Sequence, residues 1–105
     1  MSFNQLDNIG YILYNIQRRN TMPVISRFHG IVVKMFFRQK EHNPPHIHAV
    51  YGEYMGMFSL STAEMFEGDI PLKDQALIKN FIEKNREKLQ RIWDTQEFEV
   101  IPSSE

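Results

Sequence analysis

The chain has 105 residues, 42% hydrophobic and 24% charged, with a net charge of −1. That is enough for one core of ordinary size, and it excludes a global electrostatic pull towards nucleic acid or membrane. Zero cysteines exclude disulfides and thiolate zinc sites and agree with a reducing cytoplasm, and no apolar run approaches the roughly 20 residues of a membrane span.

Residues 1–21 read as a separate N-terminal extension. Ile9, Ile12, Leu13 and Ile16 recur at helical spacing, which predicts a short amphipathic helix over 5–18. Asn4, Gln5 and Asp7 stand where a signal peptide would carry a basic lead and an apolar block, so secretion is not expected. Met22-Pro23 breaks the pattern, and Met22 is itself a candidate start, which would make the extension an upstream-start artefact.

A single α+β domain is expected over 22–101, with a frayed tail at 102–105. Val24–Phe28 is β-prone, His29-Gly30 can turn, and Ile31 to Arg38 reads as a second strand. Alternation assigns Ile31, Val33, Met35 and Phe37 to the core face, and Val32, Lys34, Phe36 and Arg38 to a basic–aromatic face. Gln39 to Pro45 must be a loop, because Pro44-Pro45 cannot sit inside a ladder. His46–Tyr51 and Tyr54–Leu60 are a third and a fourth strand, joined at Gly52-Glu53. Glu64–Glu67 reads either as a short edge strand or as a helical turn capped by Ser61 or Thr62.

Residues 72–96 are helical by pattern, starting after Pro71. Ala76, Leu77, Ile78, Phe81 and Ile82 form one apolar stripe, and Leu89, Ile92 and Trp93 another. Asn85 between them suits the N-cap of a second helix, so two C-terminal helices on one face of an antiparallel sheet of about four strands are expected. One unbroken helix is the alternative. Phe98, Val100 and Ile101 add a final strand or pack as a tail.

Charge is distributed unevenly. Residues 22–52 carry Arg27, Lys34, Arg38 and Lys40 against Glu41, a net +3, whereas 53–71 carry Glu53, Glu64, Glu67 and Asp69 without a cation, a net −4. The split marks either a basic binding face beside an acidic one or two solvated surfaces.

Glu41-His42-Asn43-Pro44-Pro45-His46-Ile47-His48 is the densest chemistry in the chain. Two prolines stiffen the backbone, and histidine is both the side chain that titrates nearest neutrality and the commonest metal ligand. On a strand, His46 and His48 point to one face with their bases roughly 6–7 Å apart. His42, His46 and His48 are candidate catalytic groups, and the same histidines with Glu41 are candidate ligands of a divalent metal. Arg27, Lys34, Phe36, Arg38, Lys40, Pro44 and Pro45 are candidate binding residues, with the basic side chains suited to a phosphate. A purely structural role stands beside these: the imidazoles donating to loop carbonyls and bracing the double-proline corner. No phosphate-binding glycine loop is present.

Met22-Pro23-Val24-Ile25-Ser26-Arg27-Phe28, then Glu41-His42-Asn43-Pro44-Pro45-His46-Ile47-His48-Ala49 and Tyr51-Gly52-Glu53, resembles the domain of unknown function 4160 family of small bacterial proteins. Pro71 and the helix ending near Trp93 fit as well, so the resemblance spans 22 to about 94. It implies a bacterial, cytoplasmic protein with a small protein partner encoded nearby, in a layout like a toxin–antitoxin pair, and it assigns no catalytic residue. Such proteins usually begin at the methionine matching Met22, which sets residues 1–21 apart.

The leading expectation is therefore a binding module that contacts a protein partner or RNA through the His/Pro loop and the neighbouring basic strand. The alternatives are a metal-independent phosphodiesterase or endoribonuclease using the histidines, and a metal-binding protein.

Overall fold

The structure, a computed structural model, describes residues 23–35 and 44–103. The helix expected over 5–18 lies outside the described residues, as do Phe36, Phe37, Arg38, Lys40, Glu41 and His42.

Among the described residues five strands, β1 (Val24–Phe28), β2 (Ile31–Lys34), β3 (His46–Tyr51), β4 (Tyr54–Ser59) and β5 (Met65–Gly68), form one antiparallel sheet in chain order. Each strand pairs with its predecessor, as expected of a chain whose short apolar runs are separated by turn residues. His29, with φ of 50°, takes the left-handed turn position between Phe28 and Ile31. Tyr51 pairs with Tyr54 across Gly52-Glu53, where Gly52 supplies a φ of 60° at the first central position of a two-residue hairpin.

The sheet has one strand more than expected. The Glu64–Glu67 stretch is strand from Met65 onward rather than a helical turn, because Met65 pairs with Phe58 and packs against the core, while Glu67 pairs with Met57. Gly68 allows β4 and β5 to close together: a Cβ built there would lie 2.3 Å from the Gly56 Cα and 2.4 Å from the Met55 carbonyl.

One helix, α1 (Leu72–Thr95), replaces the expected pair. Asn85 does interrupt it, with φ −120° and ψ 21°, but as a kink and not as a cap. Its Nδ2 donates to the Phe81 carbonyl at 2.9 Å, so the side chain engages the turn behind it and the helix resumes. Ile78, Phe81 and Ile82 before the kink, and Leu89 and Ile92 after it, enter the same core as Ile25, Ile31, Val33, Ile47, Ala49 and Phe58. Full burial of such a side chain contributes about 1.5–3 kcal/mol, enough to hold both halves of the helix on one sheet face.

Polar contacts fasten the margins. Arg86 Nε donates to the Leu60 carbonyl at 2.8 Å, tying the helix to the loop after β4. Residues 96–103 form no strand. Ile101 is nonetheless buried: its N–H donates to the Ile25 carbonyl at 2.7 Å, and Ser26 Oγ donates to the Ile101 carbonyl at 2.7 Å.

Candidate functional site

The double-proline corner leads directly into β3. Buried Ile47 and Ala49 point into the core, so alternation sends His46, His48 and Val50 to the other face. The two imidazoles do come together, with ring centroids 5.2 Å apart. They are not equivalent. His46 is only 1% exposed, packs against Trp93 at 5.2 Å and meets the edge of Phe66 at 5.7 Å. Its Nδ1 lies 2.8 Å from the Pro44 carbonyl oxygen. A carbonyl only accepts, so Nδ1 carries the proton and, in the neutral ring, Nε2 keeps its lone pair. His48 is half-buried one pleat further on.

The bracing role weighed from the sequence therefore describes His46, whose ring locks the Pro44 peptide to the start of β3. Among the described residues, no group of three or more His, Asp or Glu is placed to hold a metal ion. Glu41 and His42 fall outside them.

Around His48 lies a broader surface. Strand register sets one row across the sheet: Val24 opposite Lys34, Lys34 opposite His48, His48 opposite Met57, and Met57 opposite Glu67. A second row runs from Arg27 through Val32 and Val50 to Met55. All these side chains lie on the face that alternates with the core set; Trp93 of α1 closes its His46 end, and the His48 Nε2 is buried. Its centre is apolar, and Met55 is 54% exposed. Its β1–β2 flank carries Arg27 and Lys34, and its β5 flank carries Glu67. His48, Met55, Gly56, Met57, Glu67 and Gly68 line a shallow open depression at the acidic end.

Two further acidic residues serve structure. Asp69 Oδ1 accepts the Met55 N–H at 3.0 Å. Glu64 pairs with Lys79 at 2.7 Å, and that hydrogen bond, then the Glu64 charge, raises the Lys79 ammonium above its ordinary 10.5.

Of the residues expected to form a site, Arg27, Lys34 and His48 share this face. His46 and Pro44 form the corner at its edge, with Pro44 exposed and Pro45 half-buried. Val50, Met55, Met57 and Glu67 were not singled out as binding residues, although the Tyr51–Tyr54 hairpin register places both methionines beside β3. Phe66 and Trp93 against His46 gave no local signal.

The family model described as Domain of unknown function (DUF4160) matches residues 30–94. No curated protein and no solved structure matches the chain.

Proposed function

The chain belongs to the family described as Domain of unknown function (DUF4160), and from that premise we propose that it is a protein-interaction module receiving its partner on the open face of the sheet. One observation carries the reading: Val32, Val50, Met55 and Met57 form an apolar strip across three adjacent strands, flanked by charge and covered by no described element. An apolar centre with a charged rim is the anatomy of a protein interface. The presence of both charge signs, with Glu67 in the same row as Lys34, suits a protein better than an RNA backbone. The His/Pro corner presents this face rather than reacting, because His46 is committed to Pro44. The family's resemblance to two-gene, toxin–antitoxin-like systems makes a small protein encoded alongside the first partner to test.

Co-expression of the full chain with that neighbouring protein tests the reading. Wild type co-purifies with it, whereas Val50→Asp and Met55→Glu, each with an unchanged circular dichroism spectrum, bind at least about 30-fold more weakly. Undiminished binding by both folded variants overturns the proposal.

A second reading rests on His48, which is half-buried opposite Lys34. His48 can take a proton from an RNA 2′-hydroxyl with Lys34 on the phosphate, and water protonates the leaving oxygen. His48 can also contribute to a divalent-metal site if Glu41 or His42 joins it. Ribonuclease activity lost in folded His48→Asn supports the first form, and stoichiometric metal in untagged protein supports the second. An inactive, metal-free wild type removes both.

A further inference from the structure

The open face is self-complementary, and we infer that a second copy of this chain packs on it, face to face, about a two-fold axis running along β3. This rests on the reading of that face as a protein-interaction surface, where a second copy would compete with the neighbouring protein.

The argument is one of order across the strands. In the row through His48, Lys34 lies one strand to one side of β3, and Met57 then Glu67 lie one and two strands to the other. In the adjacent row Arg27 and Val32 lie on the Lys34 side, with Met55 on the Glu67 side. The face therefore runs from cationic through apolar to anionic. A two-fold axis parallel to the strands turns one flank of each copy onto the opposite flank of the other, as an isologous contact requires. Lys34 then faces the Met57–Glu67 flank of the second copy, and the reciprocal contact follows by symmetry. Val50, on the central strand, meets its own counterpart.

An axis perpendicular to the strands would instead set Lys34 near Lys34 and Glu67 near Glu67, so charge selects the first arrangement. Facing sheets pack about 10 Å apart, a gap that opposed Lys and Glu side chains span. Five strands about 4.8 Å apart and some 13–20 Å long give a footprint of roughly 400 Å². That is at the small end for a specific interface, so the association is weak and concentration-dependent.

Sedimentation equilibrium of the full chain at low salt, from about 5 to about 500 µM, tests it. Wild type shows a monomer–dimer equilibrium. Lys34→Glu and Glu67→Lys each weaken it about tenfold or more with unchanged melting temperature, and an equimolar mixture of the two variants restores it, because each mismatch is then answered by its opposite. Monomer at every concentration overturns the inference, as does a dimer indifferent to both substitutions. If the chain is monomeric but Val50→Asp still abolishes co-purification of the neighbouring protein, self-pairing falls and the interaction reading stands.

Discussion

The two faces of the sheet are built from the same strands and do opposite work. On one, Ile31, Val33, Ile47, Ala49 and Phe58 are sealed beneath a kinked helix. On the other, Val32, Val50, Met55 and Met57 alternate with the first set, and no described element covers them. A period of two gives each strand apolar side chains on both sides, which antiparallel sheets with one wet face do not need. The surplus of apolar groups on the second face is what the proposed partner would cover.

The sharpest way to break this comparison is to truncate one residue from each face. Phe58→Ala is expected to cost about 3–5 kcal/mol in urea unfolding, whereas Val50→Ala costs under about 1 kcal/mol. Equal losses would mean that the second face is also core. Next in size is Gly68→Ala, where a Cβ meets backbone at 2.3 Å and φ is +129°. A loss of about 2–3 kcal/mol is expected, with faster amide exchange confined to β5 and the facing half of β4.

The histidines sharpen the contrast further. His46→Ala removes a buried hydrogen bond and its aromatic contacts, at a cost of about 1.5–3 kcal/mol. His48→Ala costs under about 1 kcal/mol and is read instead in binding. A larger loss at His48 would reverse their assigned roles.

The smallest effect lies at the exposed Lys79–Glu64 pair. The lysine value is raised in the fold, so the pair's stabilisation is present at neutral pH and up to 10.5, and is lost as pH rises through the raised folded value. The stability difference between wild type and Lys79→Met should hold to that point and then close.

Much of this was legible in the sequence. Alternation across Ile31 to Met35 named the buried face, and Gly52-Glu53 named a hairpin that sets the β3–β4 register. The misreadings have physical causes. Four residues are too few for a period to separate strand from turn, so Glu64–Glu67 stayed open until Met65 could be seen against Phe58. An asparagine that caps a helix and one that kinks it look alike, and only the Phe81 carbonyl decides. The convergence of His46 and His48 followed from their spacing. That His46 would be sealed by Trp93, Phe66 and the Pro44 carbonyl did not, because two of those three partners lie far along the chain.

The clasp between Ser26 and Ile101 joins residues 75 apart in sequence. Contacts that distant form late, since closing a long loop is entropically costly until the intervening sheet has assembled. Until then the outer side of β1, the edge of the sheet among the described residues, is a raw margin, the kind of template on which strands from other molecules add. A few residues after the helix thus act as a guard rail against misassembly, and trimming them should show first as cloudiness on refolding rather than as a lower melting point.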